Sequence, residues 1–425
     1  MRRTRSLPVA VAAACGIALL APAAEAHGPG RATLPAGDGW GAGTTGGAAA
    51  RPDRVFTVRD RAQLVAALAT GSDPKIIYVK GTIHGNVDDR NVPLTCDDYA
   101  TGGYGLPAYL EAYDPDTWGW ENEPSGPLEE ARRASQQKQA ERVEISVPSN
   151  TTIVGVGRHA RLDGVSLQVE NADNVIVRDL TFEDAADCFP AWDPTDGDTG
   201  AWNSEYDNLV LSGSTRVWVD HNTFTDGDNP DSGLPTYFGA LYQVHDGQLD
   251  VVRGADLVTA SWNVFTNHDK TLLIGNSDNA AETDAGKLRV TLHHNWFDGV
   301  IQRAPRVRFG RVDVYNNHYT VPSEGYEYSL GVGKESAIVA EHNSMSLPED
   351  VPASSIIANW RGTDIRTSGN LVDHRPVDLL AAHNAAHEPD LGPDVGWTPT
   401  LRRTVHPAWA VRYLVPVLAG AGRLH

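Results

Sequence analysis

Val217-Trp-Val-Asp-His-Asn222, Val258-Thr-Ala-Ser-Trp-Asn263, Val290-Thr-Leu-His-His-Asn295, Val312-Asp-Val-Tyr-Asn-Asn317, Ile338-Val-Ala-Glu-His-Asn343 and Ile365-Arg-Thr-Ser-Gly-Asn370 repeat one pattern. An apolar residue is followed by four others and then by asparagine. The last four asparagines stand roughly two to three dozen residues apart, a period that signals stacked supersecondary units. Each unit opens with strand-like alternation and closes at Asn, a residue that tolerates the left-handed region and bonds to nearby backbone. Stacking puts like residue over like, so the asparagines can bond from coil to coil. The pattern predicts an all-β chain, a parallel β-helix with one long face open to an extended ligand.

Outward from these repeats, Asn150–Val156, Ser166–Val169 and Asn174–Phe182 begin the coils. Before them, Val55–Val58 and Lys75–Ile83 read as strands around a helix from about Arg61 to Ala69. Asp60 caps that helix, Leu64, Val65 and Leu68 give it an apolar face, and it would close the open end of the solenoid. Cys96–Arg142, with a polar helix near Leu128–Glu141, reads as an excursion on the outside. Asp187–Ser204 is a long loop, and long loops on a rigid scaffold tend to carry function. After Asn370 the pattern fades into a tail whose Trp409, Tyr413, Leu414 and Val417 are expected to pack back over the coils.

The chain has 425 residues, a length that a solenoid accommodates as one unit because each coil packs only on its neighbours. Residues 1–26 read as an export signal: Arg2, Arg3 and Arg5, then the apolar run Leu7–Leu20, then Ala24-Glu25-Ala26. Residues 27–52, rich in Gly and Ala, read as a flexible leader, and 53–425 as the working domain. Without Cys15 the exported chain keeps Cys96 and Cys188, either bridged or as two buried thiols. The formal net charge of −20 argues against nucleic acid and anionic membranes as partners. Acidic residues crowd Asp179–Asp256, whereas Lys270, Arg303, Arg306, Arg308 and Arg311 form a tight basic group.

Asp207, Asp246 and Asp250 offer three carboxylates that suit a hard cation, and Ca²⁺ tolerates an irregular oxygen shell better than Mg²⁺ does. Solvated surface aspartates are the commoner outcome for such residues. His268, His293 and His294 raise zinc, against which stacked or hydrogen-bonded histidines are commoner. Gln302-Arg303-Ala304-Pro305-Arg306-Val307-Arg308-Phe309 is either an exterior ion-pair patch or a site for an acidic polymer. Three close guanidinium groups repel unless an anion sits among them, and Arg matches carboxylates bidentately.

The chain resembles the pectate lyases of polysaccharide lyase family 1. The resemblance lies in Trp202-Asn-Ser-Glu-Tyr-Asp-Asn208, Val217-Trp-Val-Asp-His221, His245-Asp-Gly-Gln-Leu-Asp250, Asp269-Lys270, Val290-Thr-Leu-His-His-Asn295, Gln302-Arg-Ala-Pro-Arg-Val-Arg-Phe-Gly310 and Val314-Tyr-Asn-Asn317. It runs in order from about Val55 to Leu424. It implies a right-handed parallel β-helix with an asparagine ladder. It also implies Ca²⁺ on Asp207, Asp246 and Asp250, Arg303 as catalytic base, and Lys270 and Arg308 on substrate carboxylates, with Arg306 as a further contact. The implied activity is a secreted, extracellular, monomeric lyase that cleaves de-esterified polygalacturonate by β-elimination. A free arginine has a pKa above roughly 12, so a basic Arg303 needs neighbouring cations to displace its proton. The alternatives are a pectin lyase acting on methylated chains, which has little use for three aspartates, and a non-catalytic polysaccharide-binding β-helix.

Overall fold

The computed structural model describes residues 28–197 and 199–424, so the export signal expected at 1–26 lies outside the described residues. Three sheets run along the molecule, and each complete coil gives one strand to each. The first has ten parallel strands, from Val55–Val58 to Ile365–Ser368. The second runs from Thr82–His84 to Leu371–Val372 and is closed by the antiparallel Arg375–Pro376. The third has eight parallel strands, from Glu144–Ser146 to Ile357–Trp360.

The repeat sets the register. Val217, Val258, Val290, Val312, Ile338 and Ile365 pair in sequence across the first sheet, and all six are fully buried. Phe182, Phe224, Phe265, Phe297 and Tyr319 stack inside the second sheet with ring centroids 4.8–5.1 Å apart. That spacing is the separation of hydrogen-bonded strands, so each ring lies flat on the next.

The six asparagines form the expected ladder. Asn295 is typical: its Oδ1 accepts from the backbone N–H and Nδ2 of Asn263, and its Nδ2 donates to Ala260 O and Asn317 Oδ1. The left-handed residue is not the asparagine, however. It is the residue before it, with φ of 52° at His221, 55° at Trp262, 55° at His294, 53° at Asn316, 56° at His342 and 63° at Gly369. That residue turns the chain from the first sheet to the second, and the asparagine after it points inward to bond the neighbouring coils.

The helix Arg61–Leu68 forms as expected, with Asp60 accepting from Gln63 N at 2.9 Å. Leu64, Ala67 and Leu68 close the core, while Val65 stays exposed. The excursion holds the helix Pro127–Val143 and is tied to the long loop by a Cys96–Cys188 disulfide.

Two expectations change. The stretch read as a flexible leader is, over residues 28–50, a strap across the outer face of the first sheet. Trp40 N and Gly41 N donate to the hydroxyls of Thr291 and Thr259, each at 3.0 Å. Thr45 N and Gly46 N donate to Asn174 Oδ1, and Gly47 N to Thr152 Oγ1. Glycine reads as flexible in composition, but here it permits contact: a Cβ on Gly47 would stand 1.8 Å from Lys75 O. The tail helix Ala408–Leu418 does pack on the coils, but through Val411, Val415 and the following Ala419, against Trp262, Val264 and Trp296. Trp409, Tyr413 and Val417 share the opposite, exposed face.

Candidate active site

Alternate residues of a strand share a face. In the third sheet Leu249 and Val251 point into the core, so Asp250 points outward. The pairing places Gln168, Val210, Asp250, Leu273, Arg306, Gly331 and Ala358 in one row on that outer face. The row joins the acidic and basic clusters that the sequence keeps apart.

Asp207 enters from the turn before Leu209–Ser212 and accepts from Gly247 N at 2.6 Å. Asp250 Oδ1 accepts from Leu273 N at 3.2 Å. A Cβ on Gly247 would meet Asp207 Oδ1 at 2.6 Å and Asp250 Oδ1 at 2.7 Å, so both carboxylates converge on a residue with no side chain. Asp246 is half-buried beside them, and its carbonyl accepts from His268 Nε2 at 2.6 Å. Burial, then Asp250 and Asp246, raises Asp207 well above the usual carboxylate range. Burial, then Asp246, pushes Asp250 up to about 7. The charge of Arg303 opposes both shifts, which puts its guanidinium within electrostatic reach of the acidic pair. Clustered, buried, oxygen-only donors that repel one another fit a hard divalent cation.

The basic side stands on the next coils. Lys270 pairs with Gln302, one coil before Arg303. Arg303 has a φ of 58°, and its Nε, like that of Arg306, is buried without a hydrogen-bond partner. Arg306 lies over the Trp360 ring at 4.2 Å and is lowered to about 10 by burial, Arg308 and Arg303. Arg308 Nε donates to Asp278 at 2.8 Å and its Nη1 to Gly275 O at 2.8 Å. Asp250 and Arg306 therefore share one face of the third sheet, and Asp207, Asp246, Lys270, Arg303 and Arg308 stand next to the ends of its strands on adjacent coils.

A second acidic group adjoins the first. Ligand atoms of Asp226, Asp231 and His245 lie within 4.8 Å of one another. His245 Nδ1 and Nε2 contact Asp231 at 2.7 Å and Asp184 at 2.9 Å. Burial alone would lower His245, but these two carboxylates hold it up to about 10. With one ring nitrogen on Asp231 and the other on Asp184, His245 ties the two carboxylates together as a scaffold. With His268, bonded to Asp226 at 2.8 Å, it braces the loop that carries Asp246. Sequence reading missed this scaffold and Asp278, because their partners lie 14 to 83 residues away. His293 and His294, the other zinc candidates, join His406 in a hydrogen-bonded chain with 2.8 Å steps.

The chain matches the pectate lyase family model over residues 126–389. It is 46% identical to a pectate lyase of Bacillus subtilis, over 98% of this chain and 99% of that one. It is 38% identical to pectate lyase D of Dickeya chrysanthemi, over 81% of this chain and 79% of that one. The solved structure of a thermostable pectate lyase superposes with a TM-score of 0.91 at 47% identity, covering 94% of this chain and 100% of that one. A pectate lyase solved with a bound hexasaccharide gives 0.89 at 46% identity, covering 93% and 100%. Similarity over nearly the whole chain, in sequence and in fold, places this parallel β-helix among polysaccharide-processing enzymes. The chain belongs to the pectate lyase family and is a polysaccharide lyase.

Proposed function

We propose that this enzyme is a secreted, monomeric, calcium-dependent lyase that cuts de-esterified polygalacturonate. The observation that carries this reading is the convergence of Asp207 and Asp250 on Gly247, with Arg303 acting electrostatically on both. Asp207, Asp246 and Asp250 would hold calcium, which supplies charge stabilisation at the substrate carboxylate when bound. Lys270, Arg306 and Arg308 neutralise and orient uronate carboxylates. Arg303, in the neutral form that neighbouring cations favour, takes the proton from C5 and becomes a guanidinium, which later returns that proton to solvent. The C5–H electrons form the C4–C5 double bond, and the C4–O bond breaks. The departing oxygen takes a proton from solvent, leaving an unsaturated uronate at the new end. No water nucleophile or pair of acid and base carboxylates is required, unlike glycoside hydrolysis.

Export over residues 1–26 and the Cys96–Cys188 bridge suit an oxidising, extracellular setting. No helix among the described residues is long and apolar enough to cross a membrane.

The test follows ultraviolet absorbance of the unsaturated product on polygalacturonate and on highly methylated pectin, each with calcium or chelator. The expected result is absorbance on polygalacturonate that chelator abolishes. Reducing ends without absorbance would mean hydrolysis, and chelator-resistant absorbance on methylated pectin alone would mean a pectin lyase.

A further inference from the structure

We propose that Trp360, backed by Arg306 and flanked by Arg361, is the platform of a further uronate subsite at the C-terminal end of the groove. The proposal deepens the function proposed above and rests on it. Trp360 ends the last strand of the third sheet and pairs with Gly333, two strands beyond the one that carries Arg306. Strand spacing sets that offset at about 10 Å, a distance that an oligosaccharide of pyranose rings spans readily.

The strand between Arg306 and Trp360 carries glycine at both positions of this face. Gly331 and Gly333 lie between Arg306 and Arg308 on one side and Ala358 and Trp360 on the other. A Cβ on Gly333 would meet Val307 O at 2.2 Å, and one on Gly331 would meet Tyr328 Cε2 at 2.8 Å. Both glycines are buried under Tyr328 and the stems of Arg306 and Arg308, so those side chains pack close along the strand and brace the indole.

Trp360 is built as a platform. The Arg306 guanidinium covers it at 4.2 Å, Tyr328 tilts against it at 5.9 Å, and 39% of its surface remains exposed. A ring braced by Arg306 and Tyr328 and still partly exposed can stack on the apolar face of a sugar with little loss of rotamer freedom.

The charges around it suit a polyanion. Arg361 has an 82% exposed side chain and shares Asp278 with Arg308, its Nη1 lying 3.0 Å from that carboxylate. Lys334 Nζ donates to the carbonyl of the same aspartate at 3.0 Å. Arg308 and Arg361 thus share one carboxylate, and Lys334 holds the backbone of the same residue. At the opposite end the same face carries Glu144 and Glu170, whose mutual repulsion extends through Glu205 to Asp246. An anionic chain leaving the centre is therefore drawn toward Trp360 and repelled from the other end.

The test compares wild type, Trp360→Ala and Trp360→Tyr on trigalacturonate and hexagalacturonate, with the exposed Trp409→Ala, which lies outside the groove, as control. The expected result is that Trp360→Ala lowers the hexamer-to-trimer ratio of kcat/KM about fivefold, mostly through KM, and Trp360→Tyr largely restores it. An unchanged ratio overturns the subsite. So does an equal loss on both oligomers, because that would mean Trp360 only holds Arg306 in place. If wild type yields no unsaturated product, the lyase reading fails instead. The subsite is then judged by calorimetric titration with hexagalacturonate, where equal affinity of wild type and Trp360→Ala overturns it.

Discussion

Asp207 and Asp250 hold their positions by accepting from backbone N–H groups, Gly247 N and Leu273 N, which leaves each carboxylate with capacity for another ligand. Holding them close and buried costs free energy unless a cation joins them. Replacing Asp207 with Asn keeps an oxygen for Gly247 N and removes one charge. In chelator the variant is therefore expected to melt at or above the wild-type temperature, while calcium affinity by titration falls more than about tenfold. A variant that melts lower and binds calcium normally would contradict this. Arg303→Lys keeps the charge but changes the shape and basicity of the group. It is expected to lower kcat about a hundredfold or more with calcium binding unchanged. Near-normal turnover would make Arg303 a clamp instead of a base. These residues were legible as types and motifs, because Asp246 and Asp250 fall in one hexapeptide and Arg303, Arg306 and Arg308 in another. Asp278 and Trp360 were not, since their roles come from contacts with Arg308, Arg361 and Arg306 across coils.

At the scale of the element, the ladder is a chain of bonds whose interior and end differ. Asn295 Oδ1 and Nδ2 together serve Asn263, Ala260 and Asn317, whereas Asn370 serves only Asn343 and Ala340. Asn295→Ala loses four bonds and is expected to cost about 3 kcal/mol or more, against roughly three-quarters of that for Asn370→Ala, which loses three. Urea denaturation checks the order, and equal losses would contradict it. The six repeats were legible because strand alternation and turn are local to six residues. The left-handed position was displaced by one, because it belongs to the residue that bends the chain and not to the one that bonds. That bend carries a second consequence. Burial lowers His293, and burial with its three histidine neighbours, His293, His406 and His221, lowers His294 well below the ordinary imidazole range. The unfolded chain therefore binds protons below about pH 6.5 that the folded chain refuses. The contribution of these two histidines to stability is full above that pH and is lost as pH falls below it. Asp207, Asp250 and His245, all raised, pull the other way over the same range. From pH 7 to 5 the melting temperature of wild type should therefore fall more, or rise less, than that of His294→Phe, and the reverse order would contradict the sign.

For the whole molecule, the parallel β-helix was legible because one repeat fixes one coil and coils propagate the register. The strap over residues 28–50 was not, because Gly and Ala composition describes both a flexible leader and a chain laid close on a sheet. The Cys96–Cys188 pair closes 92 residues of sequence around the excursion and the first coils. Its removal by Cys→Ser at both positions is expected to lower stability by about 2–4 kcal/mol without changing kcat. Unchanged stability would mean that the excursion is held by its packing alone. Despite a net charge of −20, the molecule concentrates Lys270, Arg303, Arg306 and Arg308 on one face beside three aspartates, and the proposed chemistry depends on that meeting. A crystal structure of Arg303→Lys with calcium and trigalacturonate tests it most directly. The expected result is calcium on Asp207, Asp246 and Asp250, with one uronate carboxylate touching it and the C5 of that unit facing residue 303. Calcium at Asp226, Asp231 and His245 instead, or a sugar bound away from residue 303, would contradict the account.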